Sequence, residues 1–425
     1  MMQNKHNDSR IRGAALAVVL VLAATSVFAG SVLDADYGST GNWLSAEINA
    51  MGGTGAAVDR GGFSTVLNPA HLGAATGWRV DGGLGLTQQH EDRFQPLWDS
   101  FGSFVVDTAI ASNRHHYFDT GFAAAKGFGT RFGGGVSLTT RYDFSYDFSE
   151  QIRDPDSFSD PRDQILEERS LGLDGAIRDL GLGAGWSVSD KLSLGIAAHY
   201  LFGTVTGEVL RRDYQNDAGS SSRISEWSAD GLSVTAGFSL AATERVTLGA
   251  SLESPVDVGG KLEVTTGTAA GTAATSQHLG IRYPRRVRAG LALNPRSDPR
   301  TVFTTEVVWS EWSQLENSTV DGDVMLENTL DYRVGVEHLF YNGVPVRFGF
   351  RHADYYADEE VSTSVFSAGV AFPYVDGMIN ISADMGKVSS QQAHFFAYPE
   401  GFDTEPTSRV DETHFRLGAS FTYAF

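Results

Sequence analysis

The chain has 425 residues, with 48 glycines, 11% aromatic residues, no cysteine and a formal net charge of −20. The absence of cysteine excludes a disulfide scaffold and a thiolate metal site, and the negative charge makes nucleic acid and anionic surfaces poor partners for the chain as a whole. Abundant glycine with many aromatic residues is typical of a β protein rich in turns and bends.

Residues 1–29 have the pattern of a secretory signal peptide. Lys5, Arg10 and Arg12 precede the apolar run GAALAVVLVLAATSVFA, which ends in the small-residue site Val27-Phe28-Ala29. The pattern predicts cleavage after Ala29 and export of the chain. No later stretch is a long uninterrupted apolar run, so the sequence predicts no transmembrane helix.

The next segment, residues 30–76, does not alternate between polar and apolar residues. It contains the small-residue run MGGTGAAV and the turn-rich stretch GGFSTVLNPAHLG. Pro69 lacks a backbone donor and pushes Asn68 toward an extended conformation, and an Asn side chain can bond to its own backbone in such a turn. The segment is therefore predicted to be non-strand, with a turn at Asn68-Pro69.

From residue 77 to the end, segments of alternating polarity follow one another. In the last of them, THFRLGASFTYAF, Phe415, Leu417 and Phe421 share one face while Arg416 and Ser420 share the other. This segment is longer than a usual soluble strand of about five or six residues, and it fits a transmembrane strand with one lipid face and one lumen face. We count fourteen such segments, at 77–89, 114–126, 130–147, 168–188, 191–214, 222–240, 245–263, 278–293, 300–311, 326–339, 344–355, 361–372, 377–388 and 412–425.

The connections between these segments alternate in length, with short turns such as SD and FYNG on one side. The connections on the other side are longer or more polar: 90–113, 148–167, 215–221, 264–277, 312–325, 356–360 and 389–411. This sidedness, with an even strand count, is typical of bacterial outer-membrane barrels whose chain ends are both periplasmic. Residues 77–425 are therefore predicted to form a 14-stranded antiparallel transmembrane β-barrel in the outer membrane of a Gram-negative-type bacterium. A soluble sandwich or propeller is the alternative, although we see no internal repeat.

A barrel of this size is wide enough to hold a small internal domain. Residues 30–76 can hang in the periplasm or fold inside the lumen as a plug, and a simple turn before the first strand is the plainer interpretation. If the segment is a plug, its gating residues are predicted to be Phe63, Leu67, Asn68, Pro69 and Ala70.

The stretch SAEINAMGGTGAAVDRGGFSTVLNPAHLG, with YPRRVRAGLALNP and TVFTTEVVWSEWSQL further on, resembles the FadL/TodX family of outer-membrane transporters for long-chain fatty acids and hydrophobic compounds. The Asn-Pro-Ala segment and Trp312-Ser313 are its moderately specific parts, and the resemblance covers most of the mature chain. It implies an N-terminal hatch inside a 14-stranded barrel, an apolar pocket near the hatch and sideways release toward the bilayer. His71 stands where the family usually has glycine.

The first long connection contains apolar residues at helical spacing, namely Phe94, Leu97, Trp98, Phe101 and Val105. An exposed apolar face of this kind predicts a surface that captures a hydrophobic ligand. The alternative is that it packs over the barrel mouth or touches lipid.

The third strand contains three consecutive glycines, Gly133, Gly134 and Gly135. Consecutive glycines weaken a strand and often mark a bulge or bend. We take them as a candidate lateral opening, with a tight bend or close packing against the plug as the alternative.

Many charged residues face the predicted lumen. They are Arg286, Arg288, Glu306, Asp331, Arg333, Glu337, Arg347, Arg351, Asp384 and Arg416. Such charges mostly pair with one another or hold the plug, and one or two arginines could meet a substrate carboxylate.

No G-x-S-x-G, Walker A, H-E-x-x-H or EF-hand pattern occurs, so we predict no enzymatic activity, metal site or other cofactor. We expect passive transport of long-chain fatty acids or other hydrophobic small molecules, with an internal plug and lateral release. The transporter is expected to be a monomer in contact with outer-membrane lipid and lipopolysaccharide. A non-transporting barrel that scaffolds or anchors partner proteins is the second interpretation, and an enzyme or open pore is the third.

Overall fold

A computed structural model of the chain describes residues 31–40, 43–99, 101–153, 164–320, 324–396 and 407–425. The predicted signal peptide, residues 1–29, lies outside the described residues.

The described residues form one barrel wall of fourteen long strands, as the alternation predicts. Numbered in chain order, the strands are β1 (Trp78–Trp98), β2 (Phe104–Phe128), β3 (Phe132–Asp143, continued by Tyr146–Arg153), β4 (Ile165–Ser187), β5 (Leu192–Asp213), β6 (Ser221–Ala241), β7 (Val246–Glu253, continued by Val256–Thr268), β8 (Gly271–Tyr283, continued by Arg286–Leu293), β9 (Thr301–Ser310), β10 (Thr329–Leu339), β11 (Pro345–Tyr355), β12 (Asp358–Tyr374), β13 (Gly377–Ala393) and β14 (Thr407–Ala424).

The wall is closed because the last strand pairs with the first. β14 and β1 are antiparallel from Arg409 opposite Phe94 to Ala424 opposite Arg79. The two strand ends meet where the Trp78 N–H donates to the Phe425 carbonyl at 2.7 Å. This closure pairs the edges of the first and last strands, which would otherwise be unpaired within lipid.

The two faces of the wall differ in polarity as predicted. On β14, Phe415, Leu417 and Phe421 are 39–49% exposed on the outside, whereas Ser420 is buried on the inside. An apolar outer band with a polar interior is typical of strands that cross a membrane. Among the described residues, no helix is long and apolar enough to span a membrane.

Several strands continue well beyond the predicted segments. β1 and β2 run through most of the predicted 90–113 connection, and β7 and β8 run through most of 264–277. Residues 271–277 of β8 are exposed on both faces, whereas on β1 the polar residues Glu91, Arg93 and Gln95 are buried. The backbone ladder therefore persists in these extensions without an alternation of polar and apolar residues. The helix predicted around Phe94–Val105 is wrong, because these residues belong to the β1–β2 hairpin.

Residues 43–76, here called the inner segment, lie inside the barrel. They contact every strand through an inward-facing wall residue, in order Gly83, Gly121, Gly133, Gly185, Gly195, Gly237, Gly249, Gly290, Glu306, Gly335, Gly349, Gly369, Ser382 and Gly418. A short segment can touch all fourteen strands only from within the lumen. Its helices are Ala46–Ala50 and Ser64–Leu67, with 3₁₀ turns at Gly61–Phe63 and Pro69–Ala74. The remaining short elements are 3₁₀ turns at Val32–Asp34, Asp217–Gly219 and Trp312–Gln314 and two-residue strands at Ser39–Thr40 and Glu316–Asn317.

Most of these wall contacts are glycines because the inner segment presses its backbone against the wall. A methyl group on Gly249 would lie 1.8 Å from the Ala56 carbonyl oxygen, and one on Gly349 would lie 2.1 Å from the Gly52 nitrogen. Only a residue without Cβ allows such an approach. The high glycine content of the chain therefore serves packing inside the barrel as well as turns.

Candidate functional site

The turn predicted at Asn68-Pro69 is present and buried in the lumen. Asn68 is extended (φ −160°, ψ 101°), and its side-chain oxygen accepts from the Ala70 N–H at 3.1 Å. Its amide donates to the carbonyls of Ala56 (2.6 Å) and of Phe238 on β6 (2.9 Å). This one side chain therefore ties together two parts of the inner segment and the wall.

The other predicted plug residues lie together around this turn. Phe63, Leu67 and Ala70 are 1%, 2% and 0% exposed. His71 also has a structural role, because its Nε2 donates to the Ala56 carbonyl at 3.0 Å. The departure from glycine at this position adds a second hydrogen bond to the oxygen that Asn68 already uses.

Glu306 on β9 anchors the inner segment to a second part of the wall. Its carboxylate accepts from the Gly55 and Ala56 N–H groups, both at 2.8 Å, and from Arg288 at 3.2 Å. Glu306 is 2% exposed. This confirms for Glu306 the expectation that inward charges hold the N-terminal segment.

Replacing Glu306 with alanine should loosen the inner segment. The change leaves Arg288 and two backbone donors unpaired in a buried site, and breaking a buried ion pair in this way costs about 3–5 kcal/mol. We expect trypsin to cut after Arg60, which is 3% exposed, more than tenfold faster than in the wild type. Glu311→Ala, which removes the acid that pairs with Arg285 outside the lumen, is the matched control. Equal cleavage rates in all three proteins would contradict the anchoring role.

The glycine run Gly133–Gly135 does not interrupt the wall. These residues pair with Ala125–Gly127 on β2 and with Gly183–Gly185 on β4. A methyl group on Gly133 would lie 2.0 Å from the Leu72 carbonyl oxygen, whereas Gly134 faces outward beside Phe128. The strand pairing therefore shows no lateral opening at this run, and Gly133 fits the alternative of close packing against the inner segment.

The wall is interrupted further along the same strand. β3 pairs with β2 only from Phe132 to Leu138. Beyond Leu138 it pairs with β4 on one side, and on the other side, among the described residues, only Tyr142 and Asp143 pair, with the two-residue strand Ser39–Thr40. Nearer the β1–β2 hairpin, a side chain rather than a backbone ladder connects β2 and β3, because the Ser149 N–H donates to the Asn113 side-chain oxygen at 3.3 Å. Residues 139–145 of β3 thus border a stretch of wall in which β2 and β3 do not pair, here called the window, and all of them are buried.

Behind the window lies a cluster of buried aromatic residues, here called the aromatic chamber. Tyr142 stacks on Tyr283 of β8 with ring centroids 3.7 Å apart, and Trp312 stacks on Tyr356 at 4.2 Å. The chamber comprises Tyr37, Tyr142, Phe144, Trp227, Tyr283, Trp312 and Tyr356, together with aliphatic residues of the surrounding strands. Tyr142 and Phe144 belong to the window as well, so the chamber and the window share residues.

A cavity of about 200 Å³ adjoins the chamber and is lined by Trp312, Tyr356 and several arginines. Two of these arginines have carboxylate partners, as Arg333 contacts Asp331 at 2.9 Å and Arg416 contacts Asp119 at 3.5 Å. In the described part of the chain, the other two, Arg286 and Arg351, have no carboxylate within ion-pair distance.

Arg351 also faces a like charge. It lies directly opposite Arg333 across the β10–β11 pair, and its Nε is buried without a hydrogen-bond partner. Like charges directly opposite one another destabilise a sheet. The cavity therefore holds two arginines without a carboxylate partner among the described residues, and Asp331, Asp354 and Glu412 also line it.

The predicted ligand-capture residues do not form one surface. Phe101 is 93% exposed in the turn and Val105 is 54% exposed on β2, whereas Phe94 on β1 lies under the Arg409 guanidinium at 4.8 Å. Leu97 and Trp98 continue β1 to its end. The residues are divided between two strands and a turn, so the predicted apolar helical face is absent.

A family model described as BamG matches residues 16–395 of the chain. A search of curated proteins finds no match.

The fold is similar to several solved structures. The Pseudomonas putida toluene transporter TodX has a TM-score of 0.63 at 15% identity, over 90% of this chain and 99% of that chain. A Pseudomonas aeruginosa FadL homologue gives 0.62 at 13% identity, over 91% and 100%, and the CymD monoaromatic hydrocarbon channel gives 0.59 at 16%, over 91% and 98%. At these identities the similarity concerns the fold, and it agrees with the predicted closed 14-stranded barrel.

Proposed function

The chain belongs to the BamG family, and we propose that it is a passive outer-membrane transporter of hydrophobic small molecules. The observation that carries this proposal is the aromatic chamber directly behind the window, with Tyr142 and Phe144 common to both. A water-filled pore has a polar lumen, whereas an apolar chamber beside the window favours binding of a hydrophobic ligand.

In this proposal the inner segment is the plug. Its contacts with all fourteen strands support a closed lumen, and the exit in this proposal is the window, where Ser39–Thr40 pairs with part of β3. An apolar ligand gains about 25 cal/mol per Å² buried, so it binds in the chamber without any energy source. Exit through the window places the ligand directly in lipid and avoids its return to water.

The unpaired arginines support a finer proposal, that the ligand is an amphiphile with an anionic head, such as a long-chain fatty acid. Arg286 and Arg351 line the cavity beside the chamber, so a head group there leaves the acyl chain among Trp312 and Tyr356. A carboxylate held by a guanidinium forms a charge-assisted hydrogen bond that is stronger than a neutral one.

Replacing Arg351 with alanine should weaken uptake of oleate but not of an uncharged hydrocarbon. A hydrogen bond to a charged group contributes about 1.5–3 kcal/mol, so the half-saturating oleate concentration should rise about tenfold or more. Arg300→Ala, which removes an arginine in the turn before β9 that already pairs with Asp298, is the matched control. Equal loss for oleate and for hexadecane would contradict head-group recognition.

Uptake of labelled oleate by cells with and without the gene tests the proposed function itself. A transporter should raise the uptake rate, and expression of the chain in the deletion strain should restore it. Equal uptake in both strains would favour the second interpretation, a barrel that scaffolds or anchors partner proteins.

A further inference from the structure

The outer half of β8, Gly271–Tyr283, has one open edge. On one side it pairs with β7 from Gly271 to Tyr283 without a register shift. On the other side, in the described residues, only Ile281 and Arg282 pair with a strand, Glu316–Asn317, and Gly280 bonds to Ser318. Among the described residues, no strand pairs with the edge from Gly271 to Leu279. β9 ends at Ser310, opposite Arg286, and so does not reach this outer part of β8.

The orientation of the free backbone groups follows from Gly280. Its N–H and C=O both point away from β7, toward Ser318. In an antiparallel ladder successive residues point their backbone groups to opposite sides. Thr272, Ala274, Ser276 and His278 therefore present their N–H and C=O groups on the open edge.

This edge has none of the features that usually protect an edge strand. Natural edges are shortened, bent by bulges, or blocked by proline or charged side chains. The segment TAATSQ at residues 272–277 contains no charge and no proline, and all its residues are exposed. Its small side chains let another backbone approach.

We propose that this edge binds an extended segment of another polypeptide by β-augmentation, on the side of the barrel opposite the C-terminal end of β14. In this mode main-chain hydrogen bonds supply the affinity. Because the edge carries no charge between Gly271 and Gln277, the pairing part of the partner needs no charged side chain. This role is independent of ligand transport through the lumen.

A second copy of the chain in the same membrane does not fit this edge. Closed homodimers are related by a two-fold axis, and for two antiparallel neighbouring strands that axis is perpendicular to the sheet. The barrel wall stands upright in the membrane, so the axis would lie in the membrane plane and turn the second copy upside down. The occupant is therefore a different polypeptide.

The test uses the full chain in nanodiscs and a fluorescein-labelled peptide with the sequence of the natural neighbour of β8, GGKLEVTTGT from residues 259–268. We expect saturable binding by anisotropy. Ala274→Pro removes a backbone N–H that points to the open edge, so it removes no hydrogen bond to β7. Ala274→Lys places a charge at the same position, which disfavours pairing with another strand. Both should weaken binding at least tenfold.

Ser228→Lys is the matched control, because Ser228 is exposed on β6 and pairs with strands on both sides; it should bind the peptide like the wild type. No saturable binding to the wild type, or equal binding to the Ala274 variants, overturns the proposal. Self-association in native membranes that Ala274→Lys abolishes would also overturn it, by making a second copy the occupant.

Discussion

Deletion of residues 30–76 should convert a closed barrel into an open pore. The fourteen wall strands close through their own ladder, from β1 to the β14–β1 pair, so the wall does not need the inner segment to complete its hydrogen bonds. Without that segment, the glycines that face it leave an empty, largely polar lumen. Planar bilayers containing the variant should show large, stable ionic currents, whereas the full chain should stay near the baseline.

The variant must be shown to be a folded barrel before its conductance is interpreted. Heat-modifiable migration on gels, at the position of the folded full chain, provides that control. A folded deletion variant that conducts no better than the full chain would show that the inner segment does not block the lumen. Glu306→Ala, which weakens one anchor of the inner segment, should give brief channel openings. Its mean conductance should lie between that of the full chain and that of the deletion variant.

The strand count could be predicted from the sequence because lipid and lumen impose opposite polarity on alternate residues. β14 shows this, with Phe415, Leu417 and Phe421 facing out and Ser420 buried inside. The pattern depends on the membrane and ends where the strand leaves it. The sequence therefore predicts a connection at residues 264–277, although the outer parts of β7 and β8 form a regular ladder there.

The β1–β2 hairpin shows how periodicity misleads without cross-strand information. Phe94, Trp98, Phe101 and Val105 recur at a spacing that fits one helix face, but two register shifts in the hairpin disturb the strand alternation there. The ladder between the two strands then decides the conformation. A single sequence gives no signal for that pairing.

The candidate site was only partly predictable for a similar reason. Asn68-Pro69 is a local signal, and its turn could be read from the two residues. The window depends on β3 leaving β2 after Leu138, and the like-charge neighbour of Arg351 depends on which residue lies opposite it on β10. These are long-range relations, whereas the glycine run Gly133–Gly135 is a local signal that reflects close packing inside the barrel.

The window supplies the sharpest test of lateral release. Thr140 pairs with β4 but, among the described residues, has no partner on the β2 side, and it is 7% exposed. A tryptophan at this position should therefore fill the space between β2 and β3. Thr140→Trp should abolish most oleate uptake, because a ligand in the aromatic chamber then loses its direct route to lipid. Peptide binding at the β8 edge and heat-modifiable migration should not change, which separates a blocked exit from a misfolded barrel.

Gly134→Trp is the matched control for this prediction. Gly134 belongs to the same strand, faces outward and is paired on both sides, with Lys126 on β2 and Ala184 on β4. A tryptophan there adds the same bulk to the lipid face but leaves the window open, so uptake should match the wild type. If Thr140→Trp also takes up oleate at the wild-type rate, the ligand does not leave through the window. A path straight down the lumen, past a displaced inner segment, then becomes the better account, and it requires the acyl chain to cross water on its way out.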